Sequence, residues 1–196
     1  MAPPASPSDE DLMARIADGD RDAFAQLYRR RRPDVFRFAV HSSGSRTIAE
    51  DVTQDVFMAV IHQASRYQAT RSSVRAWLLG IARNHVRRAR ARPAESSLDD
   101  AGVALAVVDG DPLPDLARRR SIAALQRAVL ELPPRFREAV VLCDLEELTY
   151  EDAAAALGCA VGTVRSRLHR GRALLARRLR TDDAPLVHTR LPRWIV

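Results

Sequence analysis

The sequence contains no lysine: all 31 of its basic residues are arginine, set against 25 acids for a net charge of +6. That absence reads as a bias toward arginine codons. Cysteine is nearly absent as well. Cys143 and Cys159 stand alone, neither in a CxxC, which argues against a disulfide framework or a zinc site and suits small apolar residues in a reducing cytoplasm. The histidines His41, His62, His85, His169 and His188 are scattered without metal-ligand spacing, so no metal and no cofactor is expected. No apolar run approaches the roughly 18 residues of a membrane span, which excludes membrane insertion. The N-terminus MAPPASPSDEDL has neither a basic start nor an apolar stretch of the kind a signal peptide needs. There is no GxGxxG after a strand, no GxxxxGK[ST], no GxSxG and no HExxH, so nothing marks the chain as an enzyme.

What is present is charge unevenly placed. Residues 73–92 hold Arg75, Arg83, Arg87, Arg88, Arg90 and Arg92 without an acid, and residues 160–180 hold seven further arginines without one. The other 18 arginines face all 25 acids, so the remainder is net −7. An acidic-to-neutral protein with two strongly basic segments implies two contacts with a polyanion. At 196 residues and 46% hydrophobic the chain can build a core, in one domain or two small ones.

The periodicity is helical throughout, and no strand pattern occurs. Ser8 reads as an N-cap before the acids Asp9, Glu10 and Asp11, and Asp20 as the cap of the next helix, which Pro33 bends or interrupts. Over 47–65, Ile48, Val52, Val56, Ala59 and Val60 share one face, while Asp51, Gln54, Asp55, Met58 and His62 share another. Residues 67–73 are polar and loop-like. In the helix 74–91, Val74, Trp77, Leu78, Ile81 and His85 are expected to be buried, with Arg75, Arg83, Arg87 and Arg90 on the opposite side. From Ala94 to Ala117 six acids stand without an arginine among glycines and prolines, the composition of a linker. The fold class is therefore all-α: two small helical domains, 9–92 and 116–180, joined by an extended acidic linker over 93–115. Residues 1–8 form a disordered N-terminus, and 181–196 an apolar-ended tail.

The stretch 149–168 has helix-turn-helix spacing. Thr149 with Asp152 three residues on resembles a capping box, with Asp where Glu or Gln is usual. Gly158 supplies the left-handed residue of a tight turn. Val161, Val164 and Leu168 then face Ala154 and Leu157, leaving Arg165, Ser166 and His169 outward, flanked by Arg167, Arg170 and Arg172. The N-terminal part of such a second helix enters the major groove, where arginine reads guanine and serine or histidine reaches base edges. Thr163 can offer its hydroxyl to phosphate.

Two further stretches carry a resemblance. Ala49 to Ile61 followed by Ala76 to Ile81, and Leu132-Pro133-Pro134-Arg135 followed by Leu148 to Ala153 and Gly162 to Arg172, resemble the second and fourth regions of the extracytoplasmic-function (ECF) group of bacterial sigma factors. The resemblance covers roughly residues 9–180 and implies a sigma region 2 helical bundle followed by a region 4 helix-turn-helix domain. It implies a cytoplasmic subunit that binds RNA polymerase core and directs it to promoter DNA. The core contacts are the largest-subunit clamp helices, met by the helix bearing Asp51, Gln54, Asp55, Met58 and His62, and the flap. It also implies that Tyr67, Gln68, Arg71, Arg75, Arg83, Asn84, Arg87 and Arg88 read and open the −10 element. Thr163, Arg165, Ser166, Arg167, His169 and Arg170 would read the −35 element. The loop from Tyr67 to Ser72 suits a flipped base read on its edge. Val74 departs from the aromatic that many relatives carry there, and Trp77 reads as core rather than a stacking platform. Members of the group are often held by an anti-sigma factor, which the sequence itself does not show.

A 24-residue coil spans about 27 Å on average, whereas elements separated by about 16 bp lie roughly 55 Å apart. The linker must therefore run extended, threading a basic channel of the polymerase or serving as a solvated spacer.

Overall fold

The computed structural model describes residues 6–91 and 116–181, with the backbone alone described over 116–121 and at 181. The acidic linker, the extreme N-terminus and the apolar-ended tail, with the paths expected of them, lie outside the described residues. Every regular element among the described residues is helical: α1 (Asp9–Ala17), α2 (Arg21–Ser43), α3 (Arg46–Gln63), α4 (Val74–Ala91), α5 (Leu116–Leu130), α6 (Pro134–Val140), α7 (Tyr150–Leu157) and α8 (Val161–Thr181). A single 3-10 turn, Ala64–Arg66, follows α3.

The helix starts are dictated locally. Ser8 accepts the Asp11 backbone N–H while the Asp11 carboxylate accepts the Ser8 N–H, a reciprocal capping box. Asp20 accepts the N–H groups of Asp22 and Ala23 at the head of α2. α2 runs unbroken through Pro33: packing on both sides outweighs the one hydrogen bond the proline removes. Asp9, a first-turn acid by sequence, is buried and holds Arg30 at 2.6 Å as well as Arg31.

Helices α1 to α4 bundle around Leu12, Leu27, Phe38, Val52, Val56, Val60, Leu78 and Leu79, all almost fully buried. Helices α5 to α8 close around Leu132, Val140, Leu142, Val164, Leu168 and Leu175. The two groups do not stand apart: α4 lies directly on α7. At Gly80 of α4 a β-carbon would sit 3.4 Å from the Ala156 backbone, in van der Waals contact, so the two helices approach closely there. This contact corrects the expected α4 stripe. Val74, Ala76, Leu78, Leu79, Ala82 and Val86 are buried, whereas Trp77, Ile81 and His85 are half-buried. The side of α4 read as facing solvent is covered in part by the other helical group, with Arg75 and Arg83 half-buried and Arg87 and Arg90 still exposed.

After α6 the chain makes one π-helical turn, Val141–Leu145, closed by the Glu146 N–H on the Val141 carbonyl. The turn brings the Glu146 side chain into the interior, where the residue is 1% exposed. It receives Arg37 at 2.7 Å and Arg75 at 3.1 Å, with the His41 ring at 3.4 Å.

Candidate nucleic-acid interface

Helices α7 and α8 form the turn that the spacing predicts. Thr149 caps α7 by accepting the Asp152 N–H at 3.1 Å. The capping box itself is not completed, which corrects the sequence reading. The Asp152 carboxylate reaches instead to the residue just before α4, accepting the Ser73 N–H at 3.0 Å and the Ser73 hydroxyl at 2.8 Å. A short aspartate beside another helix's free N–H groups finds better donors there than on its own cap. Gly158 ends α7 at φ 63°, a left-handed conformation that costs glycine little.

On α8, Val164 and Leu168 are buried against α7. Arg165, Ser166, His169 and Arg170 are exposed on the N-terminal half of the helix, while Thr163 and Arg167 are half-buried. The Arg165 guanidinium lies over the Tyr150 ring, 5.5 Å from its centre. That contact orients the arginine without using its hydrogen-bonding edge. Arg167 lies 3.9 Å from the Cys159 sulfur. Arg172 is drawn away from this face by Asp144 at 2.6 Å.

The second basic segment is arranged differently. Arg75 meets Glu146 and, at 3.3 Å, Asp34. Arg83 donates to Glu138 of α6 at 2.8 Å, and Arg87 lies 3.8 Å from the same carboxylate. Asn84, Arg87 and Arg88 are exposed. The basic face of α4 therefore meets carboxylates from the segment after α5 as well as solvent. Before α4, the Tyr67 hydroxyl donates to the Ser72 carbonyl at 2.9 Å and closes the 67–72 loop. The Tyr67 ring packs edge-on against Trp77, with centres 5.7 Å apart. Burial, with the nearby charges of Glu10, Asp152 and Asp9, pushes the Tyr67 hydroxyl up to about 12, so it stays a neutral donor. Gln68 and Arg71 are exposed beside it.

On α3, Asp51, Gln54, Asp55, Met58 and His62 all lie exposed along one side. Asp55 is engaged by the His85 ring of α4 at 3.0 Å. The structure adds Tyr28 and Ile61, which with Met58 are the large apolar side chains left exposed among the described residues. They border a cavity of about 370 Å³ between α2 and α3, floored by Phe24, Phe36 and Phe57. Ile61 was findable from the sequence, since it continues the 51–54–58 spacing by one helical turn. Tyr28 lies on another helix and gave no such signal.

No group of three or more potential metal ligands occurs among the described residues, and no helix among them is long and apolar enough to cross a membrane. Cys143 and Cys159 are both half-buried and unpaired. Burial, helped by Asp144, pushes the Cys143 thiol up to about 11, so it is not a ready nucleophile.

Comparison with known proteins gives two family matches, "Sigma-70 region 2" over residues 27–94 and "Sigma-70, region 4" over residues 122–175. The chain is 38% identical over 174 residues to the ECF RNA polymerase sigma factor SigE of Mycolicibacterium smegmatis, covering 85% of this chain and 67% of that protein. The fold is similar to that of CnrH in its complex with the cytosolic domain of CnrY, with a TM-score of 0.69 and 29% identity over 89% of this chain and 98% of that one. It is also similar to the sigma factor RpoE of Bartonella quintana in its complex with the anti-sigma factor NepR, with a TM-score of 0.60 and 28% identity over 81% and 98% of the two chains.

Proposed function

The chain belongs to the ECF group of bacterial RNA polymerase sigma factors, and from that premise we propose how its surfaces divide the work of promoter-specific initiation. The exposed half of α8 reads the −35 element: Arg165 and Arg170 reach guanine edges, Ser166 and His169 reach neighbouring bases, and Thr163 and Arg167 hold phosphates. The Tyr67–Ser72 loop, with Gln68 and Arg71, takes an unpaired base of the −10 element. Arg75, Arg83, Arg87 and Arg88 then track the backbone beside Asn84. The α3 side, with Asp51, Gln54, Asp55, Met58 and His62, docks on the clamp helices of the polymerase core, and the helix-turn-helix unit docks on its flap. Residues 9–92 and 116–180 act as two domains, and the chain works as a non-catalytic subunit in the cytoplasm. RpoE is held by the anti-sigma factor NepR; a partner of the same kind regulates this chain.

The observation that carries this reading is the pairing on one chain of two surfaces, both free of large structural demands. One is an arginine-rich helix-turn-helix face exposed at its N-terminal half. The other is a mixed acidic and apolar α3 face, with Met58 49% and Ile61 50% exposed. Duplex suits the first, and a protein partner suits the second. Run-off transcription from promoter fragments with purified bacterial core tests it. A transcript that appears only when the chain is added is expected. No transcript, together with no association with core, overturns it.

A further inference from the structure

A cavity of about 310 Å³ opens at the seam between the two helical groups, walled by α2, α4 and α6. Four arginines line it, Arg83, Arg87, Arg90 and Arg137, against one acid, Glu138. Glu138 is already shared by Arg83 and Arg87. Arg90 and Arg137 have no carboxylate in ion-pair reach among the described residues. Both instead donate to a single oxygen, the Ser42 carbonyl, at 2.9 and 3.3 Å. One shared acceptor therefore holds two positive groups side by side. Arg137 is 7% exposed and spends both Nη2–H groups on the Leu130 and Leu132 carbonyls, which leaves one Nη1–H for a further acceptor, while its buried Nε–H has no partner.

Burial, with the charge of Arg90 behind it, pushes Arg137 down to about 10, and burial lowers Arg90 as well. A guanidinium nevertheless keeps its proton at physiological pH. The positive charge of buried Arg137 therefore persists beside that of Arg90, which is open to solvent, and a counter-anion would offset both. Arg137 lies on α6, and an adjoining cavity that shares Arg83, Arg87 and Glu138 reaches Arg167 of α8. Apart from Ser42, the rest of the lining is apolar: Phe38, Val86, Ala91 and Pro134. The volume falls at the lower end of small-molecule sites.

We propose that this cavity binds a small phosphorylated metabolite, of about nucleotide size, whose phosphate lies between Arg90 and Arg137 with Arg87 at the rim and whose body rests on Phe38, Val86 and Pro134. Guanidinium forks match phosphate oxygens in pairs. Because the walls come from both helical groups, the bound molecule fastens them together and keeps Arg75 and Arg83 on Glu146 and Glu138.

Isothermal titration calorimetry of the full chain with pyrophosphate and with ADP, at fixed ionic strength, tests the proposal. Saturable one-to-one binding of at least one probe is expected. Arg90→Gln, which removes one hydrogen bond to Ser42, should weaken it roughly tenfold or more, the worth of one charge-assisted bond. Arg137→Gln should do the same; if its lost carbonyl contacts unfold it, Arg90→Gln decides alone. Arg165→Gln, which does not line the cavity, should bind as the parent does. Three results overturn the proposal. The first is no saturable binding of either probe, and the second is equal weakening by Arg165→Gln, which marks general attraction to anions. The third is Arg90-dependent binding of a single-stranded oligonucleotide with none of pyrophosphate or ADP, which gives the cavity to the DNA backbone.

Discussion

Glu146 is the most deeply buried acid in the ion pairs described. Its carboxylate is 0% exposed, while the two arginines it holds, Arg37 and Arg75, are 27% and 23% exposed. Removing the charge of a buried partner leaves cations uncompensated and costs about 3–5 kcal/mol when the pair is fully dry. Here the arginines keep some water and a second carboxylate, Asp34, so Glu146→Gln should destabilise the fold by about 2 kcal/mol. A urea unfolding series checks this, and a loss in the range of ordinary surface pairs, about 0–1 kcal/mol, would show that solvent already screens the cluster. Arg165 is set for a different kind of test. Packed over Tyr150 with its hydrogen-bonding edge outward, it should matter to base choice and not to stability. Arg165→Ala should cost holoenzyme about 1–3 kcal/mol on the correct −35 sequence and relax discrimination there. Gel-shift affinities on matched and mutated sites measure both, and equal discrimination by variant and parent would remove Arg165 from the reading.

At the scale of elements, the helix starts were legible because capping is a matter of three or four consecutive residues. The Ser8–Asp11 box and the Asp20 cap form where the sequence places them. Asp11 is held below the usual carboxylate range by Ser8, and Asp20 by the Ala23 N–H and Arg15. Because both folded values lie below the unfolded ones, their support is present above about pH 4 and is lost as pH falls further. Fraying of α1 and the start of α2 in acid, followed by amide NMR, is the expected sign. The α7 cap is shared between two jobs, since Thr149 serves its own helix and Asp152 serves α4. Thr149→Ala should cost about 1 kcal/mol, or about 2–4 °C in melting temperature. On α3, Met58→Ser with Ile61→Ser removes apolar surface that is already half in water. Melting should shift by about 0.5 kcal/mol or less, while association with core polymerase weakens in a pull-down. Unchanged association would place the core-binding face elsewhere.

For the whole molecule, the two basic segments do not have equal access to DNA. The α8 face is open, whereas Arg75 and Arg83 of α4 are held by carboxylates 71 and 55 residues away in sequence. Phosphate contacts give a log–log salt slope of about −0.9 each on duplex. Glu138→Gln releases Arg83 and loosens Arg87, so the slope for free chain on promoter duplex should steepen by about one to two contacts. Fluorescence anisotropy across a salt series reads this directly, and an unchanged slope would mean that α4 does not face DNA in the free protein.

The sequence by itself determined the all-α class, most helix bounds, the α7–α8 turn and the outward faces of α3 and α8. Each of these depends on residues one to four positions apart, where spacing along a helix is also spacing in space. Only the tertiary structure decided what the arginines meet. Asp9 is buried under Arg30 and Arg31, Glu146 gathers Arg37 and Arg75, Asp152 turns to Ser73, and Arg137 comes to share an acceptor with Arg90. Such pairs join residues tens of positions apart, and no local period encodes them. The net +6 and its two basic segments were visible in the chain, but whether a given arginine faces a phosphate or a carboxylate is fixed by the packing of α4 against the helices that come after it.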